Sequence, residues 1–170
     1  MRSRAKAPSV AGMNAPVSSD TRSDRPARLS CPAVRASLPT LLDLLDEFCE
    51  REGVDAASRH DLRLIVEEAC VNVIDYAYPP GSPGSLTLQI ESSCGTRGRL
   101  IEVTIEDNGK PFNPLTLPVP DQSGPLDDLP VGGLGVHLVR QLSNTERYRH
   151  DPERGNVLTL GKYLRPATND

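Results

Sequence analysis

The sequence contains no tryptophan and only 2 phenylalanines, and aromatic residues make up 4% of its 170 residues. Its hydrophobic content of 37% is low for a chain that packs along its whole length. Together with 16 prolines, this composition predicts that part of the chain lies outside the folded core. No apolar run approaches the length of a membrane span, so the sequence predicts no transmembrane helix and no membrane partner.

An excess of basic residues is also absent, since 19 Lys and Arg stand against 23 Asp and Glu for a net charge of -4. This balance, with no basic stripe after the first residues, argues against nucleic acid as a partner. The 4 cysteines show no CxxC spacing. We therefore expect the cysteines to act as small apolar residues in a reducing compartment and not as zinc ligands.

The composition divides the chain into three parts. Residues 1–27 alternate Ser, Arg, Ala, Asp and Pro without apolar periodicity, which predicts a disordered leader. No apolar run follows the basic start, so we do not expect a signal peptide, and we expect a cytoplasmic protein. Residues 28–165 are predicted to form one domain, followed by a short tail at 166–170.

The stretch 61–78, DLRLIVEEACVNVIDYAY, predicts a helix around which the rest of the chain is organised. Glu68 and Asn72 are four residues apart and lie on one shoulder of its apolar face, whereas Glu67 points elsewhere. The apolar face has Leu62, Ile65, Val66, Ala69, Val73 and Ala77, with Cys70 inside the same arc.

A carboxylate and an amide at the border of a core have two interpretations. Polar residues on a helix shoulder are usually solvated and have no further role. The alternative is a hydrated divalent cation and the phosphates that it carries, because Glu68 and Asn72 both offer oxygen ligands. The helix alone does not decide between them.

The remaining periodicities predict an α+β fold, a two-layer sandwich with helices on one face of a mainly antiparallel sheet. The predicted helices are residues 36–52, the stretch 61–78 and a third helix after the glycine cluster, with Leu134, Leu138, Val139 and Leu142 as its apolar face. The predicted strands are an edge strand at 28–34, a hairpin of 85–92 with 99–107, and a closing pair of about 145–150 and 156–164.

Asp107 ends a predicted strand and Gly109 follows it. The carboxylate of Asp107 is able to accept a hydrogen bond from an exocyclic amine such as that of adenine, and Gly109 lets a flat ring approach the backbone. An Asp-Asn-Gly sequence that only forms a turn is the alternative.

The cluster Gly132, Gly133, Leu134 and Gly135 lies where a loop of about twenty residues, 113–131, becomes a helix. Unhindered backbone N–H groups at a helix N-terminus form an anion site, for which phosphate is the natural ligand. A simple loop-to-helix hinge is the alternative. The sequence contains neither GxxxxGK[ST] nor a βαβ unit opening with GxGxxG, so a P-loop or a dinucleotide-binding fold is not predicted.

The three motifs in this order, EEACVNVIDYAYPPG, VTIEDNGKPFNP and GGLGVHLVRQLSN, resemble the N, G1 and G2 boxes of the Bergerat-fold ATPases. Within that group they are most similar to the bacterial anti-sigma-factor serine/threonine kinases, which are related to the ATP domains of histidine kinases. The resemblance runs from about residue 29 to residue 164.

The resemblance implies ATP and Mg²⁺ as cofactors and a role for each motif. Asn72 would be a ligand of Mg²⁺, and Glu68 would be the general base that takes the proton from a serine hydroxyl. Asp107 would read the adenine amine with Gly109 beneath the ring, and the backbone of the 132–135 cluster would bind the phosphates. The segment 110–131 would be the lid over the nucleotide.

The family also implies partners. It implies a sigma factor that is sequestered, an anti-anti-sigma antagonist that is phosphorylated, and a homodimer. Leu64 and Val71 on the back of the central helix fit a dimer contact or a second buried face equally well.

Two departures from the family pattern concern catalysis more than binding. The residues 127–130 before the second glycine box include no basic residue, which leaves Lys110 as the lid cation, and Tyr76 stands where many members have His. A regulatory module that holds ATP and Mg²⁺ without transfer is one alternative. An ATP domain that serves another signalling protein is the other.

Overall fold

The computed structural model describes residues 21–22, 25–82, 84–117 and 133–164. Its three α-helices are α1 (Leu38–Arg51), α2 (Ala56–Tyr76) and α3 (Gly133–Leu142). Its strands are β1 (Thr21–Arg22), β2 (Ala27–Pro32), β3 (Ser85–Gly95), β4 (Gly98–Asp107), β5 (Thr145–Asp151) and β6 (Gly155–Tyr163).

All strand pairs of the sheet are antiparallel, in the order β1-β3-β4-β6-β5, and β2 also pairs with β3 beside β1. Residues 101, 103, 105 and 107 of β4 share one face with residues 156, 158, 160 and 162 of β6. The helices cover this face, and the predicted α+β two-layer sandwich is therefore confirmed.

The core lies between the helices and the covered face of the sheet. The alternation of apolar residues in β3 and β4 places every second side chain against the helices, because successive side chains of a strand point to opposite faces. The largest fully buried side chains are Phe48, Leu41, Leu45, Leu62, Ile65, Leu86, Leu88, Ile90, Ile101, Ile105, Leu160 and Val66.

The starts of the first two helices are set by their first residues. Of Asp55 and Ser58, the two residues that the sequence offers as caps of the central helix, Asp55 is the cap: its side chain accepts a hydrogen bond from the Ser58 N–H at 2.9 Å, and α2 begins at Ala56. The first helix is preceded by a 3-10 turn at Arg35–Ser37, and Pro39 in its first turn has no N–H to satisfy.

The hairpin of β3 and β4 is tighter than expected. Gly95 pairs with Gly98, so only Thr96 and Arg97 form the loop, and Cys94 belongs to β3. Gly98 has φ of 105°, a conformation that glycine adopts at little cost. The loop was predicted to be longer because Cys94 and Gly95 break the apolar alternation.

The buried face of α3 is only partly the one that the sequence predicts. Val136 and Val139 are buried, and Leu142 packs against the core. Leu138 is half-buried and faces a groove between α2 and α3. Helical spacing alone allows either the face with Leu138 or the face with Val136 to be buried, and packing against α2 buries the face with Val136.

Three residues of the predicted leader, Thr21, Arg22 and Ala27, are part of the sheet, and Ala27 pairs with Ile90 as the first residue of β2. Thr21–Arg22 pairs with Ser93 and Cys94 of β3, whereas residues 1–20 and 23–24 of that segment lie outside the described residues. Among the described residues, no helix is both long and apolar enough to cross a membrane.

The cysteines provide a test of the core. Burial raises the pKa of the Cys70 thiol to about 12, whereas Cys94 is exposed. We expect Cys70→Ser to lower the free energy of unfolding by about 1–3 kcal/mol, because it buries a hydroxyl among apolar side chains. Urea unfolding with Cys94→Ser as the control, expected within about 0.5 kcal/mol of the wild type, checks this. Equal stability of the two variants would contradict the packing described.

Candidate functional site

Helix α2 carries the first part of the candidate site. Glu68 and Asn72 are both half-buried and line one groove between α2 and α3, as their spacing predicts. The helix ends at Tyr76, and Ala77 closes it with its N–H on the carbonyl of Val73, before the pair of prolines at 79–80. Glu67 lines neither this groove nor the adjoining cleft.

Gly135 lies directly against Glu68. A Cβ atom at position 135 would overlap Oε2 of Glu68 and come within 3.1 Å of its Cδ. The carboxylate thus occupies the space that any other residue at the start of α3 would fill. Sequence analysis assigned Glu68 and Gly135 to one site, and the structure places them in contact.

The N-terminus of α3 is formed by the predicted glycine cluster. The helix begins at Gly133 and includes Leu134, while Gly132 lies outside the described residues. The first N–H groups of a helix have no partner within the helix, and the positive end of its dipole favours an anion. The start of α3 therefore has the electrostatics that the phosphate prediction requires.

Asp107 ends β4 and is 7% exposed. Its Oδ1 accepts hydrogen bonds from the Gly109 N–H and from Nδ2 of Asn156, both at 2.9 Å. Within the described residues neither bond uses Oδ2, which stays available to a ligand. Burial raises the pKa of Asp107, while these two hydrogen bonds act in the opposite direction.

Gly109 has a packing role beside the predicted one. A Cβ there would come within 2.7 Å of the Ala77 Cβ, so only glycine lets the turn approach the end of α2. The next N–H, of Lys110, donates to the Ala77 carbonyl at 3.1 Å. The Asp107 turn and the last residues of α2 are thereby held together.

Asn156 is a residue of this site that the sequence reasoning missed. It is 5% exposed, and its amide donates to Asp107 and to the Lys110 carbonyl at 3.0 Å. Its Oδ1 accepts from the Tyr148 hydroxyl at 2.7 Å and from the Phe112 N–H at 3.3 Å. Both amide hydrogens and the acceptor are used, so Asn156 fixes the neighbouring groups rather than binding a ligand.

A cleft opens above these residues, between α2, α3 and the end of the sheet. Asp107 and Asn156 form a polar part of its lining, and Tyr76 and Phe112 at its edge are the exposed large hydrophobic residues of the described chain. Its apolar lining includes Ala69, Val73, Ile105, Leu115, Val136, Val139 and Leu158. A largely apolar cleft with one oriented carboxylate suits a flat heterocycle with an amino group.

The cleft and the groove that contains Glu68 share Asn72 and Tyr76. They therefore adjoin at these two residues, with the more apolar cavity beside Asp107 and the more polar one beside Glu68 and Gly135. A ligand with a flat ring at one end and phosphates at the other matches this order.

The predicted lid is described only in its first part. The segment 114–116 forms a 3-10 turn, which Asn113 begins by accepting from the Leu115 N–H at 3.0 Å, so this part is not the structureless loop that was predicted. Arg140 of α3 donates to the Leu117 carbonyl at 3.3 Å and adds a second cation to the cleft beside Lys110. Residues 118–132 lie outside the described residues.

Comparison with known proteins gives the family. Residues 31–162 match the model of the histidine kinase-like ATPase domain, and the chain belongs to this family. The ATP-binding resemblance that the three motifs suggested is thereby confirmed, while the individual roles of Glu68, Asn72, Asp107 and Gly132 to Gly135 stay predictions.

Two relatives that are named as protein kinases are similar to this chain. The chain is 30% identical over 124 residues to the serine/threonine-protein kinase BtrW of Bordetella bronchiseptica, covering 73% of this chain and 84% of that one. It is 31% identical over 121 residues to the serine-protein kinase RsbW of Halalkalibacterium halodurans, covering 69% and 70% respectively.

A solved structure shows the same fold. The crystal structure of the RsbU and RsbW domains of a Mycobacterium tuberculosis protein superimposes with a TM-score of 0.56 at 18% identity. The match covers 84% of this chain and 34% of that one, so the present chain spans about a third of the larger protein. At this identity the likeness concerns the fold alone.

The burial of Asp107 gives a prediction for stability. We expect Asp107→Asn to be more stable than the wild type at pH 7, because the amide keeps an acceptor for Gly109 and Asn156 but carries no charge into the core. With a raised pKa, the protonated carboxyl stabilises the fold fully below the unfolded pKa, and this stability is lost as pH rises through the folded pKa.

The advantage of Asp107→Asn should therefore shrink as the pH is lowered towards the usual carboxyl range. Urea unfolding at several pH values measures it. A variant that is less stable than the wild type at pH 7 would show that the ionised carboxylate is favourably held instead.

Proposed function

We propose that the protein is an ATP-dependent serine/threonine protein kinase that phosphorylates an anti-anti-sigma antagonist and also sequesters a sigma factor. The observation that carries the proposal is that the cleft at Asp107 and the groove at Glu68 share Asn72 and Tyr76 as lining residues, beside the helix N-terminus at Gly133. We infer that one ligand spans both. The kinase relatives named above support it.

ATP and Mg²⁺ fit the residues that line the site. The carboxamide oxygen of Asn72 is a hard ligand of the kind that Mg²⁺ prefers. Among the described residues no group of three or more His, Cys, Asp and Glu side chains is placed to hold a metal ion. Mg²⁺ commonly takes its other ligands from water and substrate phosphates, which agrees with a site of one protein ligand. Bound Mg·ATP would supply the γ-phosphoryl group and neutralise its developing charge.

Each residue then has a defined task. Asp107 accepts a hydrogen bond from the adenine amine through Oδ2, Gly109 lets the base approach, and the first N–H groups of α3 bind phosphate oxygens. Glu68 takes the proton from the serine hydroxyl of the substrate as that oxygen bonds to the γ-phosphorus and the bond to the leaving ADP oxygen breaks. Positioning and charge neutralisation supply most of the catalysis in phosphoryl transfer.

Regulation by binding completes the proposal. The sigma factor and the antagonist are assigned from the resemblance to the anti-sigma-factor kinases, and so is the homodimer. Leu64 and Val71 are half-buried within the single chain, which agrees with either a contact between copies or ordinary helix packing.

Nucleotide binding is tested by calorimetry with ATP, in the presence and absence of Mg²⁺. We expect Asn72→Ala to lose most of the Mg²⁺-dependent part of the affinity, because it removes the proposed metal ligand. Asn144→Ala is the control, since Asn144 is exposed, lines neither the cleft nor the groove, and accepts the Tyr163 N–H through its side chain. The same metal dependence in wild type and Asn72→Ala would argue against this ligand.

Phosphoryl transfer is tested by Glu68→Gln. The amide cannot take a proton, so we expect ATP affinity within a few-fold of the wild type and loss of serine phosphorylation by a factor of about 10²–10⁴. The matched control is Glu67→Gln, which changes the adjacent glutamate and should retain transfer.

Undiminished phosphorylation by Glu68→Gln would remove Glu68 from the mechanism. ATP binding by the wild type without transfer to any anti-anti-sigma substrate would favour the alternative, a non-catalytic ATP-binding module that acts by binding proteins.

A further inference from the structure

Tyr78 connects the end of α2 to the turn that carries Asp107. Its hydroxyl lies 2.6 Å from the Ser85 carbonyl and 2.7 Å from Oδ1 of Asn108, and it accepts the Asn108 N–H at 3.0 Å. One hydroxyl proton is thus shared between two acceptors, while a lone pair receives the backbone N–H. All of these partners lie where β3 begins or β4 ends.

The surroundings of Tyr78 are built to hold its ring in this place. A Cβ at Gly84 would overlap the ring and come within 2.7 Å of its Cδ1, so only glycine leaves room for the ring. Asn108 presents its oxygen to the hydroxyl because the same Oδ1 accepts the Ser85 N–H at 3.2 Å, a group that is always a donor. A tyrosine hydroxyl is protonated at neutral pH, and burial raises the pKa of Tyr78 further.

The turn is also held from β6. A Cβ at Gly155, whose φ is 77°, would come within 2.9 Å of the Asn108 Cα. Asn156 holds the side chain of Asp107 from the same strand. The side chain of Tyr78 therefore fixes this turn from the side of α2, and the side chain of Asn156 fixes it from the side of β6.

The position of Asp107 decides which base the cleft favours. At C6 adenine presents an amino donor where guanine presents a carbonyl acceptor, so a carboxylate fixed opposite C6 attracts the first and repels the second, whereas one that moves along the edge also reaches the N1–H and 2-amino donors of guanine. A carboxylate that is free to turn away favours adenine less. The rigidity of this turn therefore sets selectivity, and not only affinity.

We propose that Tyr78 is a positioning residue of the nucleotide site, whose hydroxyl holds the Asp107–Asn108–Gly109 turn against α2 and thereby sets the preference for adenine over guanine nucleotides. The inference rests on the proposed function, because it requires that the cleft binds ATP. The alternative is a tyrosine that stabilises the fold and has no effect on which nucleotide is bound.

The test is Tyr78→Phe, which removes the hydroxyl and keeps the ring. ATP and GTP dissociation constants are measured by competition with a fluorescent ATP analogue, and the amide hydrogen exchange of Gly109 and Lys110 is measured without nucleotide. We expect ATP affinity to fall about three- to tenfold, as one hydrogen bond predicts, and GTP affinity to change less than twofold. Exchange at both amides should become about tenfold faster.

The control is Tyr163→Phe, because the Tyr163 hydroxyl makes no hydrogen bond within the described residues and its ring lies under Arg97. It should leave both affinities and both exchange rates unchanged. An equal loss of ATP and GTP affinity in Tyr78→Phe would overturn the inference, since partial unfolding lowers both by the same factor. Unchanged exchange at Gly109 and Lys110 would also overturn it.

Failure of the proposed function has a different signature. A wild-type protein that binds no ATP would refute the nucleotide site and the selectivity together. The exchange rates would in that case still report whether Tyr78 holds the turn.

Discussion

An ionised carboxylate is unfavourable inside a protein unless its surroundings replace the water that it loses. Asp107 is in this position at the end of β4, and the elements around it are arranged to hold it. Asn156 and the Gly109 N–H bind one of its oxygens, and neither of these bonds uses the other. Within the described residues the water that the carboxylate loses is therefore only partly replaced, and burial raises its pKa.

Two glycines allow close contacts of the turn that carries Asp107, and a third lies against Glu68. Gly109 lets the turn reach Ala77, Gly155 lets β6 reach the same turn, and Gly135 lets α3 reach Glu68. In each case a Cβ atom would occupy space that a neighbouring backbone or carboxylate already fills. Gly109 of the second motif and Gly135 of the third thus have a packing reason that is compatible with the predicted ligand-binding roles.

Much of the site was predictable because its parts are local patterns. Helical spacing alone puts Glu68 beside Asn72, and the alternation in β4 puts Asp107 on the face that the helices cover. The three motifs also gave the family correctly. These predictions needed no knowledge of how distant segments pair.

The parts that sequence reasoning missed depend on contacts between distant segments. Asn156 follows a turn and belongs to no apolar or polar repeat that would single it out in the sequence. Its role arises only because β6 pairs with β4 in a register that sets Asn156 opposite Asp107. The choice of Val136 over Leu138 as a core residue depends on how α3 packs on α2. Thr21–Arg22 joins β3 although its composition predicts disorder, because a sheet edge accepts a short strand through backbone hydrogen bonds.

The register of the sheet has a consequence for how the molecule folds and unfolds. Strands β3 with β4 and β5 with β6 are local hairpins, whereas the pairing of β4 with β6 joins segments that are 49 residues apart at Asp107 and Asn156. Among the pairs formed by β3, β4 and β6 this pairing closes the longer loop, and a longer loop costs more conformational entropy to close. Asp107 and Asn156 lie at one end of the β4–β6 pairing, so β4 and β6 must pair before the cleft exists. A nucleotide bound there would contact residues on both sides of this pairing and would stabilise the folded state by mass action.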